Sequence, residues 1–269
     1  MQPTNNPEAY DAYLRGVAFE ARSYSLPGRS DEAVGFYERA VQLDPNFAVA
    51  WARLSRVDAL LYFDRVDATT RARGEAAKDA LENAQKLAPN SPETLLALGY
   101  YQYLVLRDYA SAKITFGRAS KMLPGSSDAP RALGYVTRRE GHWDQSITWF
   151  EEALVLDPRN VELLMSTAQT YTALRQFPTA LKLYDRALNI KPNDQDVIAA
   201  KASIYQAQGN LEEAARLLSP ITFKTPSQST FTIKITQLRL ERNYGEAIRL
   251  LQARLIQVDS RSQFLKASD

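Results

Sequence analysis

A small residue returns along this chain at a nearly constant interval, and that interval restricts the fold to stacked copies of one unit. It stands at Ala33, Ala77, Ala112, Ser146, Ala180, Ala214 and Ala247, with spacings of 44, 35, 34, 34, 34 and 33 residues. Four residues further on comes a large apolar side chain: Tyr37, Leu81, Phe116, Phe150, Tyr184, Leu218 and Leu251. Three beyond that a small residue recurs at Ala40, Ala84, Ala119, Ala153 and Ala187. Steps of four and seven trace one face of an α-helix. A bulky residue precedes the marker by three at Tyr109, Trp143, Phe177, Leu211 and Tyr244. Prolines close the unit at Pro45, Pro89, Pro124, Pro158, Pro192 and Pro226. Proline lacks the N–H that a continuing helix needs and clashes with the preceding turn.

The stretch from Val161 to Pro192 shows the unit whole. Leu164, Thr167, Ala168 and Tyr171 share one helical face; Arg175-Gln176-Phe177-Pro178 breaks the run; Ala180, Tyr184 and Ala187 begin another. Such a hairpin has too little apolar surface to fold alone and needs a copy on either side. Stability is then shared among neighbours.

The small–large–small–proline pattern at 34 residues resembles the tetratricopeptide repeat, from about Pro7 to about Val258. The resemblance implies an all-α fold, a right-handed α-solenoid of about seven tetratricopeptide-like helix pairs. One superhelical domain is expected over 7–258, with repeats near 7–45, 48–89, 92–124, 127–158, 161–192, 195–226 and 228–258. Residues 1–6 read as a linker and 259–269 as a tail that frays. The connection Ser23 to Ser30 is longer than a standard repeat turn and holds Pro27-Gly28. The 44-residue spacing implies about ten extra residues around Asp58 to Arg73, read as two lengthened helices. Ser219-Pro220 should cut one helix short, and Arg254 stands where the last repeat should have a small residue.

The N-terminal half resembles something narrower. NPEAYDAYLRG, a first repeat ending in LDPN, a lengthened second repeat and then LALGYYQYLVLRDYASA occur together in certain bacterial signalling proteins. There the repeats follow a nucleotide cyclase, a serine/threonine kinase or a winged-helix domain. The resemblance implies a regulatory or sensory role.

In the tetratricopeptide family the first helix of each pair lines a concave groove, through its second, fifth, ninth and twelfth positions. Here those positions place Tyr10, Tyr13, Arg56, Tyr100, Tyr103, Arg131, Tyr135 and Arg138 in repeats one to four. Later repeats offer Met165, Gln169, Thr172, Ala199, Ser203 and Gln206, smaller and neutral. Tyrosine and arginine anchor interfaces by joining contact area to a directional polar tip. The expected ligand is a protein or peptide segment, and the arginines suggest acidic character in it. The same tyrosines could instead pack between neighbouring helices with only their hydroxyls wet; both readings stand at this point. Glu93, Asp128, Glu162 and Asp196 also fall at the groove-facing second position. They read as first-turn acids favoured by the helix dipole. Three successive repeats with the family's Lys/Asn/Arg carboxylate grip are not present, so a chaperone-tail adaptor is disfavoured.

Chemistry beyond binding finds little support. The chain has no cysteine and one histidine, His142, in a turn, so thiol and histidine metal sites are excluded and no cofactor is expected. With 33 basic and 31 acidic residues, nothing draws it onto nucleic acid. No apolar run reaches the ~20 residues of a membrane span, and MQPTNNPEAY is not a signal peptide. The expectation is a cytoplasmic, non-catalytic scaffold. A self-assembly module is the alternative, with a small-ligand or enzymatic superhelix behind it; oligomeric state stays open.

Overall fold

The computed structural model of the chain describes residues 4–20, 29–64 and 70–267, with 29, 30, 64 and 258–267 as backbone only. Fourteen α-helices and one π-helical turn account for the regular structure among these residues, and no strand occurs. They run in pairs: α1 (Pro7–Glu20) with α2 (Arg29–Leu43), α3 (Ala48–Asp64) with α4 (Thr70–Leu87), and α5 (Pro92–Tyr100) with α6 (Tyr109–Met122). Then come α7 (Asp128–Arg139) with α8 (Trp143–Leu156), followed in sequence by α9 (Val161–Ala173) and α10 (Phe177–Ile190). Last are α11 (Gln195–Ala207) with α12 (Leu211–Leu217), and α13 (Gln228–Leu240) with α14 (Tyr244–Ala267). No described helix is long and apolar enough to cross a membrane. The helices form two compact units, Met1–Thr170 and Tyr171–Asp269.

The recurring positions are the core. Ala33, Ala77, Ala112, Ser146, Ala180 and Ala214 are wholly buried. Tyr37, Phe116, Phe150, Tyr184 and Leu218, four residues on, are at most 1% exposed. In the first unit three of these rings lie on a glycine of the paired helix. A Cβ added to Gly16, Gly99 or Gly134 would come within 2.6, 2.5 or 2.7 Å of Tyr37, Phe116 or Phe150. Glycine is required there because ring and backbone touch, not because of its flexibility.

Side chains that accept from free N–H groups start the helices. Asn6 accepts from Glu8 and Ala9, and its amide donates to the Leu43 carbonyl, so part of the segment read as a linker is tied to α1 and α2. Ser91 caps α5 ahead of Pro92, and Asp108, Asn210 and Ser227 cap α6, α12 and α13. The turns inside the pairs end on a left-handed residue: Arg107, Gly141, Arg175, Gly209 and Arg242, at φ 58°, 83°, 58°, 76° and 58°. In four of them the N–H at the next residue reaches back five residues: His142 to Thr137, Gln176 to Tyr171, Asn210 to Tyr205 and Asn243 to Leu238. This is the Schellman ending of a helix.

One pair departs. Arg107 lies eight residues after Gly99, whereas Gly141 lies seven after Gly134. The extra residue is absorbed in the π-helical turn Tyr101–Val105, where Leu106 N–H donates to the Tyr101 carbonyl and Asp108 N–H reaches Gln102. The 35-residue interval in the sequence has this origin.

The lengthened second pair is present: α3 and α4 have 17 and 18 residues, against 14 and 15 in α1 and α2. Residues 65–69 between them, and 21–28 in the first connection, lie outside the described residues.

In the second unit α12 has seven residues, ending ahead of Ser219-Pro220, and Ile221 fills the core at 2% exposure. Arg254 takes up the irregular turn that follows. Its guanidinium donates to the carbonyls of Phe223 and Thr225 at 3.3 and 2.8 Å and stacks 4.4 Å from the Phe231 ring centre. α14 runs on to Ala267, through the region read as a tail.

Candidate functional site

The first helices of the first unit meet along a row of charges. Glu20 ends α1, Arg53 and Arg56 lie mid-way along α3, Asp128 and Arg131 open α7, and Glu162 opens α9. Glu20 accepts from Arg56, from Arg53 at 3.5 Å and from the Tyr37 hydroxyl at 2.7 Å. Arg56 also faces Asp128 at 3.5 Å, and its guanidinium sits 5.6 Å from the ring centre of Tyr100 on α5. Arg131 binds Asp128 at 2.7 Å and Glu162 at 3.3 Å. Three guanidiniums therefore oppose three carboxylates.

Burial alone would neutralise these groups, and the pairing prevents it. Burial pushes the Asp128 carboxyl up, but Arg56 and then Arg131 outweigh that and hold it at about 2. Glu20 is lowered in the same way, against its burial, by Arg56 and then Arg53. Burial also opposes the charge on Arg56, which Glu20 and then Asp128 more than restore. Among the described residues, the Nε atoms of Arg56 and Arg131 are buried without a hydrogen-bond partner.

All eight side chains expected in the groove lie in this unit, and they are tied inward. Tyr10 and Tyr13 are half-buried and stacked 6.3 Å apart, with Tyr13 against Phe47 at 5.1 Å. Arg56, Tyr100 and Tyr103 are 7%, 4% and 6% exposed, and Tyr100 meets Phe116 edge-on at 5.2 Å. Arg131 is half-buried in its ion pairs. The half-buried Tyr135 bonds Ser166 at 2.8 Å and donates to Glu162 at 3.3 Å. Arg138 donates to the Ser166 carbonyl and the Thr170 hydroxyl and covers the Tyr135 ring at 5.3 Å. The remaining outward surface comes chiefly from Tyr10, Tyr13, Tyr135 and Arg138.

Two readings of the sequence change. Asp128 and Glu162 do stand in first turns, but their charges are spent as counter-ions to arginines on other elements or one turn away. In the second unit Asp196 accepts from the Thr230 hydroxyl. Periodicity within one repeat could not show the pairs of Asp128 with Arg56, of Glu162 with Arg131 and of Asp196 with Thr230, because those partners come from other repeats. Arg56 and Arg131 are consequently not free cations awaiting an acidic ligand. Two shallow clefts, of about 460 and 500 Å³, open beside Pro7, Phe36 and Leu43 and beside Tyr62, Lys78 and Tyr101. No expected groove residue lines either.

Comparison with known proteins places the fold. The tetratricopeptide repeat family matches residues 137–204 and 171–231. Superkiller protein 3 of Saccharomyces cerevisiae is 23% identical over 129 residues, 48% of this chain and 9% of that protein. Anaphase-promoting complex subunit 6 of Arabidopsis thaliana is 23% identical over 184 residues, 66% of this chain and 32% of that protein. The chain thus spans a third or less of the length of either relative. A thermophilic tetratricopeptide-repeat protein of Thermus thermophilus superposes with a TM-score of 0.60 at 20% identity, covering 74% of this chain and 99% of that one.

Proposed function

We propose that this chain, which has the tetratricopeptide-repeat fold, is a non-catalytic scaffold that binds a polypeptide along the first-helix face of residues 1–170. The observation that carries the reading is the aromatic and arginine surface over a charge-paired ionic floor. Arg56, Arg131 and Tyr100 fix that floor, and Tyr10, Tyr13, Tyr135 and Arg138 are only half-buried. Pre-fixed side chains lose little freedom on binding, which favours affinity. Acidic character in the partner finds less support than the sequence alone suggested, since Arg56 and Arg131 already have carboxylates. The motifs of the N-terminal half support a regulatory or sensory place in a bacterial signalling protein, and the absence of a nucleophile–base pair in the sequence supports a non-catalytic role.

Site-specific photo-crosslinking tests this without unfolding the chain. A benzophenone side chain at Tyr10 or Tyr135 should capture a polypeptide from the native lysate at least several-fold more than one at Ile114 or Val155, 69% and 80% exposed on second helices. Equal capture from both faces would refute the reading.

A second reading, self-assembly, has its own observation. Tyr244, Ile248, Leu251 and Leu255 form one row on α14, 58%, 55%, 43% and 65% exposed. Leu251 occupies the position that is at most 4% exposed in every earlier pair, from Tyr37 to Leu218. Light scattering over a hundredfold concentration range checks it. The scaffold reading expects a constant monomer mass; a mass that doubles with concentration and returns to monomer in Leu251→Glu favours self-assembly.

A further inference from the structure

Among the described residues, a second pair of cations in the first unit lacks the counter-ions that the buried row has. Phe63, near the end of α3, is half-buried. The guanidinium carbon of Arg107 lies 5.0 Å from its ring centre and that of Arg139 lies 4.8 Å from the same point. The two cations are thus no farther apart than the sum of those distances. Both side chains are exposed. Tyr103, which is 6% exposed, packs 6.4 Å from Phe63.

No carboxylate pairs with Arg107 or Arg139 among the described residues. The acids beside them in sequence are committed elsewhere: Asp108 caps the N–H of Ser111, and Glu140 takes the Lys113 ammonium at 2.8 Å. This contrasts with Arg53, Arg56, Arg73 and Arg131, each of which meets a carboxylate within 3.5 Å. A second feature coincides with the place. The π-helical turn precedes Arg107 directly, and such one-residue insertions gather at functional sites. Arg107, at φ 58°, ends the turn that follows the π-helical segment supplying Tyr103.

We propose that Arg107 and Arg139, braced by Phe63 and Tyr103, form a receptor for a carboxylate side chain of the partner polypeptide. The inference rests on the scaffold reading and names what the scaffold would recognise. A guanidinium fork offers two parallel N–H donors that match a planar carboxylate, and stacking on an aromatic ring fixes its plane in advance. Two exposed cations on one ring, without a carboxylate partner among the described residues, supply the charge complementarity. A nucleic-acid backbone would need a stripe of basic charge, and the face leading to this site is neutralised by Glu20, Asp128 and Glu162.

The test uses the full chain and fluorescein-labelled hexaglutamate, read by fluorescence anisotropy at low ionic strength, with hexalysine and an oligothymidylate of equal length beside it. Hexaglutamate should bind. The R107Q/R139Q variant should weaken it about tenfold, the worth of one charge-assisted contact at about 1.4 kcal/mol per decade. Phe63→Leu, which keeps both charges and removes the stacking plane, should weaken it several-fold. Thermal melting should stay unchanged in R107Q/R139Q, because neither arginine closes an internal ion pair. Hexaglutamate affinity unchanged in R107Q/R139Q overturns the proposal, as does tighter oligothymidylate binding lost in the same variant. Crosslinking from Tyr135 judges the scaffold separately. If it persists in R107Q/R139Q while hexaglutamate affinity does not change, the receptor falls and the scaffold stands.

Discussion

Arg56→Met should destabilise the first unit by about 3–5 kcal/mol, the cost of removing one partner from a buried ion pair. The size follows from what is left behind. Arg56 is 7% exposed and its methylene stem is replaced almost atom for atom, so little packing is lost. Its charge, however, answers both Glu20 and Asp128. After substitution the only cations left to those carboxylates are Arg53 and Arg131, the latter already shared with Glu162. The readout is convenient because Trp51, Trp143 and Trp149 all lie within residues 1–170. Tryptophan fluorescence during urea unfolding therefore follows this unit alone. The pH dependence gives an independent check. Asp128 is held at about 2 in the folded protein, below the ~3.9 of an unfolded aspartate. A lowered acid contributes stability that is present above the unfolded value and lost as pH falls through the folded one. The wild-type chain should accordingly lose stability between about pH 4 and pH 2, and Arg56→Met should lose less there, so the two curves converge in acid. A loss under about 1 kcal/mol at neutral pH, or parallel curves, would show that the row of charges is not what holds these helices.

Phe150→Ala should cost about 3–5 kcal/mol in the same assay, the usual penalty for deleting a buried aromatic ring. Phe150 has no exposed surface. Its ring rests on Gly134, meets Tyr135 edge-on at 5.2 Å and carries the Arg138 guanidinium at 5.5 Å. The complementary change is Gly134→Ala. A methyl group there would lie 2.7 Å from two ring carbons, and the helix backbone cannot retreat freely, because the Ser146 hydroxyl donates to the Gly134 carbonyl at 2.8 Å. Overpacking of this kind costs about 1–3 kcal/mol. The two substitutions should not add. Once the ring is gone the methyl group has room, so Gly134→Ala should be close to neutral in the Phe150→Ala background. Simple additivity would mean that ring and glycine do not touch.

The sequence showed which residues are core because the helical period repeats at every unit. Ala112, Phe116 and Ala119 could be read from one hairpin and checked against the next. The lengthened α3 and α4 and the truncated α12 were visible as a spacing and as Ser219-Pro220. The floor of the candidate site was not legible in the same way. Arg56 and Asp128 lie two repeats apart, and nothing in the register of either helix announces that they meet. Asp128 and Glu162 sat where a helix dipole alone would explain them. Tyr100 and Tyr135 were placed on the correct helices, but how deep their rings lie depends on the glycine and phenylalanine beneath, which only packing reveals. The 35-residue interval did signal the π-helical turn; one irregular spacing among several was too slight a mark to locate it.

In a stack of repeats that touch only their immediate neighbours, one unit can be cut out or exchanged and the damage stays local. Arg56 reaching Asp128 past the intervening pair breaks that rule. The order of the first four hairpins is thereby locked: shuffling or deleting one would strand a charge two units away, so this part of the molecule can evolve only as a block.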